Sequence, residues 1–271
     1  MLTLVPTPIG NLDDMSKRAI IALEEAELIF CEDTRVTKRL LSLLSEKQNL
    51  NFPCTEFKSF HSHNEQAVLA GLKPEDFEKN IVYVSDAGMP CVSDPGASLV
   101  AYALENQITY DVLPGANAVL TAYAMSGFSD TKFTFFGFLD HKGKSRVAQL
   151  DKVLSCANLS ILYESPHRLL KTLEEIQAKA PERELFLAKE ITKKFQKVFK
   201  DSAKNVFKTL KSETIKGEWV IVLEASSHDG LPITLEDLEN LDLAPKIKAK
   251  LIAKLKGCNV KDVYQQLLDK I

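Results

Sequence analysis

The sequence predicts an α/β fold made of two α/β domains followed by a short helical segment. Short apolar runs alternate with longer stretches in which apolar residues recur at helical spacing, a pattern typical of α/β domains. A polar, loop-like stretch around residues 127–132 interrupts this alternation, and from Pro232 onward only helical spacing remains. The 271 residues, 45% of them hydrophobic, are enough for two ordinary cores. We therefore expect domains at 1–127 and 128–229, followed by a helical segment at 230–271.

The first domain contains three apolar runs with the length and composition of buried parallel strands, at residues 2–5, 81–84 and 110–113. A further strand is expected to end just before Glu32. Between the strands apolar residues recur every three or four positions, as in 16–23, which is typical of helices packed on a sheet. The predicted helices of this domain cover residues 14–28, 35–46, 63–72, 95–106 and 116–126.

The second domain is predicted to begin with a strand at 133–138, directly after the loop-like stretch. Further strands are expected near residues 159–163, 185–190, 195–200 and 219–224. Helices are expected near 145–155, 166–179 and 202–212. The final segment is predicted to form three short helices at 235–241, 245–256 and 260–268. No internal repeat or low-complexity tract is evident in the sequence.

Three of the predicted strands lead into loops of small residues, at 6–11, 85–90 and 114–118. Ligands in open α/β sheets bind beyond the carboxyl ends of the strands, where these loops lie. Glycine and alanine let the backbone approach a ligand closely, and proline fixes the turn. One such loop is typical of an ordinary strand-to-helix turn, but three of them, with Asp86 and Asp94 in the longest, indicate a ligand site. No P-loop or dinucleotide-binding glycine motif is present, so phosphate is not the obvious ligand.

Composition favours a soluble, cytoplasmic protein. The five cysteines are widely spaced, without a CxxC pair, which suits a reducing compartment better than a disulfide scaffold. No apolar run approaches the roughly 20 residues needed to span a bilayer. His61 and His63 alternate in a way that metal ligands can, but no further ligands are apparent nearby, so we expect no metal site.

Charge is distributed unevenly along the chain. Residues 1–139 carry 10 Lys and Arg against 18 Asp and Glu, whereas residues 140–212 carry 16 against 9. Residues 213–271 carry 8 against 10. A lysine-rich segment can simply be a solvated face, but phosphate contacts from such side chains also bind RNA independently of its sequence. The basic cluster around Lys142 and Lys144 and the lysines between 189 and 200 are therefore candidates for RNA contacts.

Six motifs carry a resemblance to a known family: PTPIGNL at 6–12, EDTR at 32–35, HSHNE at 61–65, SDAGMPCVSDPG at 85–96, LPGANA at 113–118 and YESPHR at 163–168. In this order they resemble the small-subunit ribosomal RNA methyltransferases of the tetrapyrrole (corrin/porphyrin) methylase superfamily. The resemblance implies two α/β domains of the tetrapyrrole methylase type, with S-adenosyl-L-methionine in the cleft between them. It also implies 2′-O-methylation of a decoding-centre cytidine in 16S rRNA of the 30S subunit, and a homodimer.

The resemblance further implies positions for the site residues. The implied cofactor-binding residues are Ile9, Asp86, Met89, Asn117, Ala118, Tyr163, Ala188 and Gly217. For catalysis, Lys189 is the candidate that stabilises the developing oxyanion, Glu164 or Glu190 is the candidate base, and Arg35 lies at the expected cleft mouth. Helix capping is the alternative role for residues of the EDTR motif and for Ser165.

The chain departs from the family pattern at Met89, at Ala116-Asn117-Ala118 and at Gln196. Backbone contacts survive such changes, whereas side-chain roles at these positions are open. Three other functions remain: a tetrapyrrole methyltransferase, a noncatalytic ribosome-associated RNA-binding protein, and a phosphate-binding α/β enzyme such as a hydrolase. Binding of the methyl donor separates the favoured function from the last two.

Overall fold

The computed structural model of the chain describes residues 1–226 and 235–268. The chain divides into two compact units, Met1–Ala225 and Ser226–Ile271. Two five-stranded sheets lie in the first unit. The domain boundary expected between residues 229 and 230 lies outside the described residues. The boundary expected after residue 127 stays a prediction, and it falls between the elements of the two sheets.

The first sheet is entirely parallel and has the strand order β3-β2-β4-β1-β5. Its strands are β1 (Leu2–Leu4), β2 (Leu28–Cys31), β3 (Phe57–Ser59), β4 (Ile81–Val84) and β5 (Tyr110–Val112). Every residue of the three central strands is buried, whereas the two edge strands are partly exposed. This burial accounts for the apolar runs in the sequence, because central parallel strands are covered on both faces.

Four helices connect these strands: α1 (Lys17–Glu24), α2 (Thr34–Gln48), α3 (Glu65–Gly71) and α4 (Ala97–Glu105). A fifth, α5 (Ala118–Ser126), follows β5 and leads to the second sheet. The helix predicted for 14–28 was too long. It begins after Ser16, whose hydroxyl caps it by accepting from the Ala19 amide, and it ends at Glu24. Leu28 already belongs to β2, where four successive buried apolar residues fit a strand better than an amphipathic helix. Strand β3 was not predicted, since three residues, two half-buried and one exposed, are too few to give a periodic signal.

The second sheet is mixed and has the order β6-β7-β10-β8-β9. Its strands are β6 (Phe133–Phe138), β7 (Leu159–Glu164), β8 (Glu184–Lys189), β9 (Lys197–Ser202) and β10 (Trp219–Leu223). Strands β6 and β7 are parallel, and the other neighbours are antiparallel. Three helices belong to this part of the chain: α6 (Gly143–Leu154), α7 (Leu169–Lys179) and α8 (Ala203–Leu210).

Strand β9 begins two residues later than the sequence predicts. The side-chain oxygen of Gln196 accepts a hydrogen bond from the Thr192 amide at 2.7 Å, which holds residues 192–196 in a turn. This contact also gives Gln196 a structural role that needs an acceptor oxygen but no negative charge.

The three helices predicted for the final segment are confirmed as α9 (Leu235–Asn240), α10 (Pro245–Lys256) and α11 (Val260–Leu268). Pro245 occupies the first position of α10, and Gly257 ends that helix with a positive φ of 65°. Their small core contains Leu238, Ala249, Ile252, Ala253 and Val263. Among all described residues, no helix has the length and apolarity required to cross a membrane.

Helix α5 packs against the second sheet. Val119 and Ala122 share a buried cluster with Ile161 of β7 and with Val220 and Val222 of β10. Because α5 begins immediately after the third small-residue loop, this packing holds the end of that loop against the second sheet.

A substitution at Gly96 measures how closely the long loop after β4 packs on the sheet. Its φ is 122°, and a Cβ at this position would lie 2.5 Å from Cε1 of Tyr83, which is fully buried. We expect Gly96→Ala to lower the free energy of unfolding by about 3 kcal/mol, because it combines backbone strain with overpacking. Urea denaturation measures this change. In the control Gly71→Ala nothing lies within 4 Å of the added methyl group, so we expect a change below about 1 kcal/mol; equal losses in the two variants would contradict the argument.

Candidate functional site

A cavity of about 390 Å³ lies where the small-residue loops meet the second sheet. Its volume is in the range typical of small-molecule sites. First-sheet loops supply Ile9, Glu32, Ala87, Gly88, Val92, Ser93, Asn117 and Ala118, together with Asp86, Met89 and Asp94. The second sheet and its loops supply Phe138, Tyr163, Glu164, Ser165, Pro166, Ile191, Glu218, Trp219 and Val220.

The first two loops are joined by a short backbone bridge. The amide of Thr7 donates to the carbonyl of Gly88 at 3.0 Å, and the amide of Gly88 donates to the carbonyl of Thr7 at 3.1 Å. Gly88 has a φ of 88°, and a Cβ there would lie 3.1 Å from the side chain of Ile9. Glycine is therefore needed at this position by both conformation and space.

The third loop ends in a helix cap. The side-chain oxygen of Asn117 accepts from the Leu120 amide at 3.0 Å and so caps α5. Asn117 and Ala118 line the cavity, as does Met89 of the second loop. The departures from the family pattern thus leave the loops in place, with Asn117 serving as the cap.

Three carboxylates border the cavity on the first-sheet side: Glu32, Asp86 and Asp94. The pKa values of all three are raised, and burial is the largest cause for each. For Glu32 and Asp94 the next cause is repulsion from a neighbouring carboxylate. The rise is largest for Asp94, whose pKa reaches about 6. The ionised forms of these three carboxylates are therefore poorly solvated, which favours binding of a cationic ligand or uptake of a proton.

The opposite wall is aromatic. Tyr163 contacts Phe135 and Phe138, with ring centroids 5.0 and 5.4 Å apart. Burial, with smaller contributions from Asp94 and Glu218, raises the pKa of Tyr163 to about 12, so it stays a neutral phenol at physiological pH. Phe138 follows a bulge in β6 at which Gly137 has a φ of 64°, and its side chain is both exposed and part of the cavity lining.

Glu164 borders the cavity but is fully occupied by protein groups. One carboxylate oxygen accepts from the Ser165 amide at 2.9 Å and from Arg168 at 2.8 Å. The other accepts from the Thr172 hydroxyl at 2.6 Å, and this hydroxyl in turn accepts from buried Arg146 at 2.8 Å. Only 1% of the Glu164 side chain is exposed. Its surroundings are those of a residue that fixes the end of β7.

The remaining sequence candidates lie around the cavity rather than in its lining. Lys189 places its ammonium 5.7 Å from the ring of Trp219, which does line the cavity. The Glu190 carboxylate accepts from Lys193 at 3.0 Å and from the Glu218 amide at 2.9 Å. Burial opposes ionisation of Glu190, but these two partners outweigh it and lower its pKa.

Gly217, Ala188 and Arg35 also lie outside the lining. Gly217 has a φ of 77°, and a Cβ there would lie 2.6 Å from the Glu190 side chain, so its role in this structure is to make room for Glu190. Ala188 is fully buried in the second sheet, paired in register with Val220. Arg35 is largely exposed and pairs with Asp33 at 2.5 Å.

Several lining residues were not singled out from sequence, chiefly Phe138, Ile191, Trp219 and Val220. Of these, only Phe138 could have been found from the sequence. Gly137 lies inside a predicted strand, and a glycine there often marks a bulge that redirects the next side chain. His61 and His63 contact each other, with their rings 5.9 Å apart. Within the described ranges, no group of three or more His, Cys, Asp or Glu residues is arranged to hold a metal ion.

The network around Glu164 makes a stability prediction. Glu164→Ala would leave Arg168 and the hydroxyl of Thr172 without their buried partner. We expect it to lower the free energy of unfolding by about 3–5 kcal/mol, measured by urea denaturation. The control Glu184→Ala removes a partly exposed pair with Lys200 at 3.7 Å, for which we expect less than about 1 kcal/mol. A loss for Glu164→Ala no larger than the control's would show that the network does not stabilise the fold.

Comparison with known proteins agrees with this architecture. The family Tetrapyrrole (Corrin/Porphyrin) Methylases matches residues 1–206. Ribosomal RNA small subunit methyltransferase I of Campylobacter fetus subsp. fetus is 48% identical over 270 residues, a match that covers 99% of this chain and 100% of the relative.

Solved structures share the fold at much lower identity. Diphthine synthase has a TM-score of 0.61 and 16% identity, covering 83% of this chain and 89% of its own. Uroporphyrin-III C-methyl transferase from Thermus thermophilus, complexed with S-adenyl homocysteine, has a TM-score of 0.55 and 15% identity, covering 82% and 96%. Because the family matches most of the sequence and the Campylobacter relative matches nearly all of it, the chain belongs to the tetrapyrrole (corrin/porphyrin) methylases, in the branch of the ribosomal RNA small subunit methyltransferases I.

Proposed function

We propose that the chain transfers a methyl group from S-adenosyl-L-methionine to the ribose 2′-oxygen of a decoding-centre cytidine in 16S rRNA. The observation that carries this proposal is the cavity in which three small-residue loops face an aromatic wall, with Asp86 at its edge. The printed name of the 48% identical relative supports ribosomal RNA of the small subunit as the substrate. The choice of cytidine and of the 2′-oxygen comes from the motif resemblance.

The residues present fit the methyl donor. The donor carries a positive charge on sulfur and on its amino group, and the three cavity carboxylates supply negative charge that their own burial makes costly. Gly88 allows close approach to the loop backbone, while Ile9, Met89, Asn117, Ala118 and Tyr163 supply the rest of the wall. When bound, the donor supplies an electrophilic methyl carbon. A related fold holds the demethylated product of the same donor.

Catalysis in this proposal is chiefly positioning. A hydroxyl oxygen placed in line with the methyl carbon at about 3 Å gains much of the possible acceleration from orientation alone. Lys189, next to Trp219 at the cavity, is positioned to favour developing negative charge on the acceptor or to hold an RNA phosphate. The contacts of Glu164 and Glu190 support positioning roles for them, because their carboxylate oxygens already accept protein hydrogen bonds.

The basic segment between residues 140 and 212 is proposed to attract the RNA. Lys142 and Lys144 are exposed at the start of α6, and Arg35, which pairs with Asp33, is exposed as well. Such contacts supply affinity that is independent of base sequence and falls with salt. The 30S subunit as the physical substrate, a cytoplasmic location and a homodimer are parts of the same proposal.

The decisive experiment identifies the methyl donor, the acceptor nucleotide and the methylated atom together. Purified protein is incubated with tritiated S-adenosyl-L-methionine and 30S subunits from cells that lack the decoding-site modification. Nuclease digestion then locates the label, and 30S subunits that already carry the modification serve as the matched control. We expect label on a cytidine ribose in the first sample only. Label on another RNA position would correct the acceptor, and failure to bind the donor would overturn methyl transfer itself.

Asp86 is expected to contribute directly to donor binding. Its Oδ1 accepts the Asp33 amide at 3.1 Å, which leaves the carboxylate held at the cavity edge. Asp86→Asn keeps an acceptor for that amide but removes the charge, so we expect donor affinity to fall about 10- to 100-fold in calorimetry. Asp13→Asn, at an exposed carboxylate paired with Lys47, is the control. Unchanged affinity in Asp86→Asn would contradict the placement.

A further inference from the structure

The turn between β8 and β9 carries the most exposed large apolar side chain among the described residues. This side chain is Phe195, which is 69% exposed. A single exposed apolar residue is ordinary on a protein surface and by itself indicates nothing. Phe195 differs from such a residue in three respects: its turn is rigid, the turn lies beside the cavity, and the charged residues around it are chiefly lysines.

The turn is held in an unusual backbone conformation. Glu190 and Thr192 have positive φ values of 51° and 66°, which is rare for a β-branched residue such as threonine. The Gln196 side chain accepts from the Thr192 amide at 2.7 Å, and the Lys193 ammonium donates to Glu190 at 3.0 Å and to Glu218 at 2.7 Å. Strained backbone persists only where surrounding contacts hold it. The turn is therefore fixed before any ligand binds.

The turn lies beside the cavity. Ile191, near its start, is part of the cavity lining. The turn also packs on the first small-residue loop, where a Cβ on Gly10 would lie 2.3 Å from the Lys193 side chain and 2.9 Å from the Thr192 hydroxyl oxygen. Phe195 follows Ile191 by four residues, so the two Cα atoms are less than about 15 Å apart. The ring is thus within reach of nucleotides that flank one bound at the cavity.

The charge around Phe195 is mainly positive. Residues 189–200 contain five lysines and one glutamate. The ammonium of Lys194 lies 5.7 Å from the centre of the Phe195 ring. Among the described residues no carboxylate pairs with Lys194, whereas Lys193 and Lys197 pair with Glu218 and Glu213. A free cation beside an exposed aromatic ring suits a polyanion whose bases have aromatic faces.

A second copy of this chain is the alternative partner for this surface. Strand β9, which follows the turn, is an edge strand of the second sheet and carries Lys197 and Lys200. Lysines on an edge strand disfavour pairing with the edge of another chain, and two such surfaces would repel each other. The charge therefore favours RNA as the partner.

We propose that Phe195 and Lys194 form an RNA platform beside the cavity, in which the ring stacks on an unpaired base near the target nucleotide and the ammonium contacts a phosphate. The choice of ribosomal RNA rests on the proposed function, and the platform adds a contact to it. Recognition of unpaired RNA combines bases stacked on aromatic rings with phosphate contacts from basic side chains. The platform positions the RNA and takes no part in methyl transfer itself.

Phe195→Leu separates stacking from apolar contact, because leucine is apolar but has no ring. Affinity for 30S subunits that lack the decoding-site modification is measured by fluorescence anisotropy of dye-labelled protein, with no methyl donor present. We expect the dissociation constant to rise roughly 10-fold, which corresponds to the loss of one stacked base. Phe195→Trp keeps an aromatic face, and its affinity should stay within about twofold of wild type.

Lys194→Gln tests the phosphate contact through its salt dependence. The anisotropy titration is repeated between about 50 and 200 mM salt. Loss of one phosphate contact should make the slope of log Kobs against log[salt] shallower by about 0.7 to 0.9. Phe195→Leu should leave the slope unchanged, because a stacked base releases no counterion.

Lys79→Gln is the matched control for this change of charge. Lys79 is exposed and lies just before β4, at the amino ends of the parallel strands of the first sheet. The small-residue loops follow the carboxyl ends of the same strands, so Lys79 is at the opposite end of the sheet from the cavity. We expect wild-type affinity and wild-type salt slope for this variant.

Each outcome supports or overturns the platform. A dissociation constant for Phe195→Leu within twofold of wild type overturns the stacking role, and equal slopes for Lys194→Gln and Lys79→Gln overturn the phosphate contact. A lower molecular mass of Phe195→Leu in analytical ultracentrifugation would assign the ring to an interface between copies instead. If Phe195→Leu folds poorly in urea denaturation, Phe195→Trp and Lys194→Gln decide, and a 10-fold loss of affinity in Phe195→Trp would contradict the platform.

The test also separates the platform from the proposed function. Binding is measured without methyl transfer, so the platform is judged whether or not the wild-type protein labels a ribose. Absence of ribose labelling overturns the proposed function, whereas unchanged binding by the Phe195→Leu and Lys194→Gln variants overturns the platform alone. Calorimetric affinity for the methyl donor should stay at the wild-type value in both variants, and a loss there would place these residues at the donor instead.

Discussion

The packing of α5 against the second sheet is the interaction on which the site depends. Val119 and Ala122 bury themselves against Ile161, Val220 and Val222. Since α5 starts at the end of the third small-residue loop, its docking sets the distance between that loop and the ends of β7 and β10. The cavity is the space left between them. Loops that would otherwise face solvent thus gain an apolar opposite wall, which excludes water and strengthens the electrostatic interactions inside.

That exclusion of water explains the raised pKa values of the cavity carboxylates. Glu32, Asp86 and Asp94 face the cavity from the first-sheet side, and burial is the main cause of the raised pKa of each, with a smaller contribution from a neighbouring carboxylate. In solvent the same three groups would ionise normally. The cost of desolvation therefore comes from the same packing that forms the cavity, and a positively charged ligand would relieve it. Binding strength and proton affinity at this site have a common physical origin.

A second group of polar contacts fixes the far wall. Arg146, Thr172, Glu164 and Arg168 form a continuous buried network behind the end of β7. Nearby, Glu190 fills the space over Gly217 and pairs with Lys193. Glu164 and Glu190, the candidate bases from the sequence, thus serve here to hold Tyr163, Ile191 and Trp219 in position. A wall with fixed rotamers keeps its geometry when the substrate binds, which is what precise alignment of reacting atoms requires.

The sequence by itself determined the succession of strands and helices, the three small-residue loops and the family, because these depend on local periodicity and on residues adjacent along the chain. It also placed Ile9, Asp86, Met89, Asn117, Ala118 and Tyr163 in positions that line one cavity. Only the tertiary structure decided which polar side chains face that cavity. Glu164 ends a strand and Asp94 lies in a loop that follows one, yet Glu164 is sealed beneath Arg168 and Thr172, whereas Asp94 lines the cavity without such partners. The reason is physical: whether a carboxylate is sealed in a buried network or faces the site depends on hydrogen-bond donors brought from distant positions, and the sequence contains no measure of those distances.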